Sequence, residues 1–363
     1  MKAFGVFPST KEVKLIKDHP EPKKPTGTEV KLKMLEVGIC GTDKEICSFE
    51  YGTPPKGDPY LVLGHESLGE VIEAGPEAKL KVGDLIVPMV RRPCGHSSCL
   101  ACRNGRQDFC YTGDFTERGI KEQHGFCTEL IVDDEKYMNV VPKALREVAI
   151  LVEPLTIAEK ALLQLRQVED RMPWTSKGYK PRAVVLGAGP VGLLGAMALI
   201  VNGYETFVYS RSRAPNPKAE LCRAIGATYL SSEEITVEAL AEKVGNIDLV
   251  YEAVGVSRVA FDVLKVLGTN GIYCFTGVPG RKAPIEVDTD LMMRNLVLKN
   301  QMLFGTVNAG RDAFENAIKD LATFHARWPG PLAQLITGRH PIEAFKELVF
   351  AKSDAIKNVI KLA

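Results

Sequence analysis

The 363-residue sequence predicts an α/β protein made of a β-rich domain and a doubly wound, parallel-sheet domain. Three observations lead there. Short apolar runs broken by turn signals fill the chain as far as Pro154; strands and helices alternate beyond it; and the first strand of the alternating part runs directly into a glycine-rich turn. The length suits about two domains. A composition of 45% hydrophobic and 25% charged residues is that of a folded globular chain.

In the β-rich part, strands are expected at residues 29–37, 68–74, 84–90 and 127–132, with Ala74-Gly75-Pro76 and Val82-Gly83-Asp84 as turns between them. Residues 155–167 then carry apolar side chains on one face, as a helix does. After a polar stretch over 169–181, strands are expected at 183–186, 206–209, 247–251 and 272–275, with helices at 191–202 and 218–225. The tail holds a long helical run over 310–324 and a closing strand at 359–362, expected to fold back on the first domain. The domains are accordingly set at residues 1–153 with 306–363, and at 154–305.

Charge narrows the partners. With 46 basic and 45 acidic residues the net charge is +1, so no global field recruits nucleic acid or an anionic membrane. Residues 1–6 lack the charged-then-apolar pattern of a signal peptide. The longest apolar stretch, residues 191–201, is interrupted by Gly192 and Gly195 and is too short to span a bilayer. A cytoplasmic protein is expected, whose nine cysteines stay reduced and bind metal where they cluster.

The turn Gly187-Ala188-Gly189-Pro190-Val191-Gly192 has a strand before it and a helix after it, which a dinucleotide fingerprint requires. Gly187 allows the tight turn, Gly189 lets a pyrophosphate approach the backbone, and Gly192 lets helix and strand pack closely. The helix N-terminus then offers free N–H groups and a favourable dipole to the phosphates. At the end of the next strand, where an NAD-selective site carries Asp or Glu, stands Ser210, followed by Arg211 and Arg213. Guanidinium groups welcome a 2′-phosphate, so NADP is expected as cofactor. Two solvated arginines on a protein that also accepts NAD are the plainer alternative. Thr276 and Val278, just after the strand at 272–275, are expected beside the cofactor.

Cys94, Cys99, Cys102 and Cys110 can close a tetrahedron around zinc, a full site that fixes a loop. The first gap is four residues long, so the loop must bulge there; His96, inside the gap, is an alternative ligand. Elsewhere in the same domain Cys40, His65 and Glu153 offer S, N and O donors. Taken together they suit an open, catalytic zinc site with a position left for substrate. Cys47, Cys127, Cys222 and Cys274 read as core residues. His19, His124, His325 and His340 show no partner pattern.

The order Cys40-Gly41-Thr42-Asp43, Gly64-His65-Glu66, four-cysteine ribbon, Glu153-Pro154 and glycine-rich turn resembles the zinc-containing medium-chain dehydrogenases along essentially the whole chain. Val90-Arg91-Arg92, Gly105-Arg106-Gln107-Asp108-Phe109-Cys110, Leu151-Val152-Glu153-Pro154-Leu155 and Val307-Asn308 are similar to the archaeal-type glucose (aldose) 1-dehydrogenases within that superfamily. The resemblance implies a GroES-like catalytic domain beside a Rossmann domain. It implies that Cys40, His65 and Glu66 bind the catalytic zinc, with Glu153 near metal or substrate, directly or through water. It further implies that Thr42 hydrogen-bonds the reacting hydroxyl, that Glu117 accepts from sugar hydroxyls, and that Asn308 contacts sugar and nicotinamide. A homodimer or homotetramer is implied likewise. Val90 and Leu298 depart from the pattern, since polar sugar contacts are expected near both. That departure keeps a polyol or secondary-alcohol dehydrogenase open as the second reading. A cofactor-binding protein without turnover is the third, opposed by the intact Cys40, His65 and Glu66 set.

Overall fold

The computed structural model describes residues 1–172, 178–280, 284–351 and 354–362; residues 173–177 of the polar stretch lie outside it. Its contacts divide the chain into Met1–Glu153 with Asn308–His325 and Leu332–Ala363, and Pro154–Val307 with Ala326–Pro331.

In the first unit the strand Glu29–Gly38 is the organising element. Val30, Leu32 and Met34 alternate inward, and the final residues, Leu35 to Gly38, are buried without a break. A strand with both ends so occupied needs partners on each side, and it pairs antiparallel with Glu66–Ala74, with Leu130–Asp134 and with Lys357–Lys361. The full order is Met138–Val141, Leu85–Pro88, Glu66–Ala74, Glu29–Gly38, Lys357–Lys361, Ile336–Pro341. The tail therefore completes the first unit's sheet, with Val359 opposite Gly38 and Ile360 opposite Val37. A second sheet of Glu12–Ile16, Ala3–Phe7 and Leu61–Val62 was not anticipated from the sequence. It is held by Phe4, which stacks on Phe345 at 4.5 Å, and by the fully buried Leu61 and Leu63. Each such side chain contributes about 1.5–3 kcal/mol by leaving water. A small third sheet joins Arg91–Arg92, Thr116–Arg118 and Glu122–Gln123.

The second unit is a six-stranded parallel sheet in the order Thr228–Ser231, Glu205–Ser210, Arg182–Leu186, Leu249–Glu252, Ile272–Phe275, Met302–Gly305. Ala183 to Leu186 are wholly buried, as a central strand covered on both faces demands. Strand order reverses beside Arg182–Leu186, which makes its C-terminal end the switch point where such sheets take their ligands. The strand expected at 247–251 runs instead over Leu249–Glu252, and just before it the Asp248 carboxylate accepts from the Tyr179 hydroxyl and the Arg182 amide. Among the described residues no helix is long and apolar enough to cross a membrane.

Two of the unpatterned histidines, His19 and His124, acquire partners in space. His19 Nδ1 lies 2.8 Å from the Tyr60 hydroxyl, Tyr60 stacks on His124, and His124 Nε2 is 3.0 Å from Asp58. Burial, with the neighbouring His124 and the N-terminal ammonium, depresses His19 to about 4; only Asp58 opposes. The unfolded chain protonates this imidazole near pH 6.5, whereas the fold refuses the proton until about pH 4. Stability should fall as pH drops through that window and be level above it. The loss is about 1–2 kcal/mol once solvent screening of a half-exposed group is allowed for. Denaturant unfolding at pH 7 and pH 4.5 checks this: His19→Gln should show the smaller drop, and equal drops would refute it.

Candidate functional site

The helix Gly41–Cys47 places the first donor of the metal set, Cys40. Cys40 precedes it with extended backbone, and its amide donates to Asp43 Oδ2 at 2.9 Å, so the buried Asp43 closes the turn that aims the thiol. Glu66 opens the strand Glu66–Ala74, with Gly38 opposite it in the register, and His65 stands immediately before that strand. The ligand atoms of Cys40, His65 and Glu66 all fall within 4.8 Å of one another. His65 Nδ1 and Asp43 Oδ1 stand 3.7 Å apart, both buried and without a hydrogen bond. Slight closure would form the carboxylate–imidazole contact that fixes a metal-binding histidine. Soft, imidazole and carboxylate donors in one cluster, the last two buried, with an orphaned ring nitrogen behind them, fit zinc.

Glu153, at the second position of the helix Val152–Glu169, stands outside that cluster but within its field. Enclosure raises its carboxyl to about 7, with His65 opposing and Glu66 reinforcing the shift. A group poised there can hold or release a proton near neutrality. Thr42 sits in the helix's first turn, near the Tyr51 hydroxyl, whose pKa burial pushes up. One partner had no sequence signal: Lys357, fully buried, with Nζ 2.8 and 2.6 Å from the two Glu66 oxygens and 3.1 Å from the Ile39 carbonyl. The only hint is a lysine set between the apolar Ile356 and the pair Val359-Ile360.

The four ribbon cysteines also gather, their sulfurs within 4.8 Å of one another. Thiolates around tetrahedral zinc at about 2.3 Å would stand ~3.8 Å apart, and Cys99 and Cys110 are 4.0 Å apart. The donors fit a structural zinc. His96 turns away to Asp114, 2.7 Å from its Nε2. Cys47, Cys127, Cys222 and Cys274 are buried core thiols, and all nine cysteines are unpaired.

Glu117 and Asn308, far apart in sequence, meet: Asn308 Nδ2 donates to Glu117 Oε1 at 3.1 Å. Asn308 adopts a left-handed φ of 60°, which asparagine tolerates better than most residues.

In the second unit the glycine turn behaves as its spacing requires. Gly187 has φ +97°, and a Cβ on Gly192 would stand 2.1 Å from the Gly187 carbonyl oxygen, so neither position admits a side chain. Nothing lies within 4 Å of where a Cβ on Gly189 would be, leaving space for a pyrophosphate against the backbone. The helix Pro190–Val201 begins at Gly189 with no side-chain cap, and its first amides, Val191 included, remain for the ligand. Ser210 ends its strand; Arg211 and Arg213 are exposed beyond it. Thr276 is committed through its hydroxyl to the Glu252 carbonyl at 2.7 Å, and Val278 is exposed. Sequence reading passed over Glu252. Its buried carboxylate accepts from the amides of Val254, Gly255 and Gly277, tying together two loops at the strand ends. A carboxylate closing the apolar strand Leu249–Glu252 was the available signal.

A GroES-like unit bearing two metal-ligating clusters, combined with a Rossmann unit, defines the class of zinc-dependent medium-chain dehydrogenases. Residues 26–143 match the alcohol dehydrogenase GroES-like domain, and residues 146–362 match the glucose dehydrogenase C-terminus. The glucose 1-dehydrogenase of Methanocella arvoryzae is 38% identical over 363 residues, 100% of this chain and 99% of that protein. Glucose 1-dehydrogenase 1 of Caldivirga maquilingensis is 39% identical, with the same coverage. The glucose dehydrogenase of Haloferax mediterranei, solved in complex with NADP, Zn and gluconolactone, superposes with a TM-score of 0.90 at 33% identity, covering 100% of this chain and 99% of that one. The chain belongs to the glucose dehydrogenase family.

Proposed function

We propose that this protein oxidises the C1 hydroxyl of an aldopyranose, glucose foremost, to the aldonolactone with NADP as the preferred acceptor. The observation that carries it is full-length similarity to a dehydrogenase solved with NADP, Zn and gluconolactone, together with this chain's own clustered Cys40, His65 and Glu66 donor set. Bound zinc would supply Lewis acidity to the substrate hydroxyl, and the nicotinamide a place for the departing hydride. Cys40, His65 and Glu66 would hold the metal, with Glu153 assisting through water, and the four ribbon cysteines would hold the structural zinc. Thr42 accepts the hydroxyl proton and passes it toward solvent through Tyr51. Glu153, in the field of the same donors, would assist that proton traffic. The C1–H electron pair leaves as hydride, so one sugar and one NADP give one lactone, one NADPH and one proton. Glu117 and Asn308 receive sugar hydroxyls that have lost water.

Gly187, Gly189, Pro190, Val191 and Gly192 form the pyrophosphate seat, with Thr276 and Val278 at the nicotinamide side. Ser210, Arg211 and Arg213 form the 2′-phosphate seat. The free cysteines support a reducing, cytoplasmic setting. The edge strand Met302–Gly305 and the exposed Met293, Val297 and Leu298 support a homodimer or homotetramer. The polyol reading is not favoured, since no feature beyond Val90 and Leu298 speaks for it. NADP reduction over a panel of aldoses, polyols and simple alcohols tests the proposal: an aldose should lead, and turnover of alcohols alone would refute it. Repeated with NAD, the panel should show Arg211→Ala losing much of the NADP preference.

A further inference from the structure

Glu117 does not stand alone. It lies directly opposite Arg91 in the small sheet, and Arg91 Nε donates to its Oε1 at 3.0 Å. Asn308 Nδ2 donates to that same oxygen. Both side chains of the ion pair are nearly buried, at 7% and 13% exposure, so the pair is far less screened than one on the surface. The guanidinium has little freedom of its own. It lies 3.7 Å over the Phe115 ring, and its Nη1 reaches the Asp108 carbonyl at 3.5 Å. Asp108 is in turn gripped by Arg106 through two hydrogen bonds, two residues before the last ribbon cysteine.

With one Glu117 oxygen occupied by two donors, its direction is fixed and the second oxygen becomes the acceptor for a ligand. We infer that Arg91 is a specificity-determining positioning residue: it orients Glu117, and with it Asn308, so that a polyhydroxylated ring is read at a fixed hydroxyl. The inference rests on the aldose reading above. Arg91 touches neither hydride nor proton; it acts through Glu117. Lysine is a poor substitute, because a single ammonium cannot reproduce the planar fork that spans Glu117, Phe115 and the Asp108 carbonyl.

The test is a double-mutant cycle with Arg91→Met and Glu117→Gln, read as kcat and KM for glucose and for one epimer, with aldonolactone binding measured calorimetrically. Arg91→Met should lower kcat/KM for the preferred aldose roughly ten- to a hundredfold, mainly through KM, as befits a hydrogen bond to a charged group. It should also weaken lactone binding, pull the epimer ratio toward one and leave the NADP dissociation constant unchanged. Glu117→Gln should then have less than about a third of its wild-type effect in the Arg91→Met background. Should Arg91→Met fold poorly, Arg91→Lys keeps the charge and must still shift the epimer ratio. Full, independent effects of the two substitutions, or an unaltered ratio in Arg91→Lys, overturn the assignment. A wild-type protein that oxidises no aldose removes the aldose reading itself, which is seen before any variant is made.

Discussion

Cys40→Ser or His65→Ala is expected to lower kcat/KM by about a thousandfold or more while NADP binding stays intact. A Lewis acid at a developing alkoxide contributes several kcal/mol, and each 1.36 kcal/mol is a factor of about ten. Cys40 and His65 are two of three donors in the cluster, so neither loss can be made good by a neighbour. Zinc measured per chain should fall by about one, the ribbon retaining its own because Cys94, Cys99, Cys102 and Cys110 form a separate cluster. Asp43→Asn should cost less, about ten- to a hundredfold, since Asp43 orients the imidazole instead of binding metal. Undiminished zinc in Cys40→Ser, or turnover within a few fold of wild type, would show that the chemistry does not run through this cluster.

Which features were legible in the sequence follows from how locally each is encoded. The glycine turn was readable because strand, turn and helix are contiguous and each glycine has its own steric reason, as the overlap at Gly192 shows. The ribbon was readable because its four cysteines fall in one short segment. Central strands announced themselves by unbroken apolar runs such as Ala183 to Leu186. Edge strands did not: Thr228–Ser231 and Met302–Gly305 are only partly buried, so neither apolar run nor alternation is strong. The helix Thr289–Leu298 escaped for a related reason: none of its residues is fully buried, and Met292 packs against the core only half-covered.

The site was legible as a set of donors, less so as a network. Chemistry-bearing residues stand out by type, whereas the residues that hold them are defined by distant partners. Arg91 meets Glu117 only across a strand pair, Asn308 meets it over 191 positions, and Glu252 matters only because three amides converge on it. His19 and His124 had no pattern because their shared partner, Tyr60, is remote from both in sequence.

Lys357 is the extreme case, and it carries the second large effect. Lys357→Met should destabilise the chelated protein by about 3–5 kcal/mol, because it leaves the Glu66 carboxylate buried without a counter-charge. The pair is a true ion pair: burial works against the ammonium, but Glu66 and Cys40 outweigh it and raise the pKa of Lys357. The Glu66 carboxylate lies against Gly38, where a Cβ would stand 2.2 Å from its Oε2, so a glycine there leaves it its place. Replacing both charges by Lys357→Met with Glu66→Gln should recover much of the loss, as removing a buried pair together often does. Zinc supplies the discriminating arm. If Glu66 faces the metal cluster as well as Lys357, an added divalent cation restores the missing positive charge, so zinc should stabilise Lys357→Met more than it stabilises wild type. Denaturant unfolding with chelator and with zinc measures both differences. A single variant as stable as wild type, or equal zinc stabilisation in the two proteins, would mean that Lys357 is a packed side chain and not the counter-charge of the metal-side carboxylate.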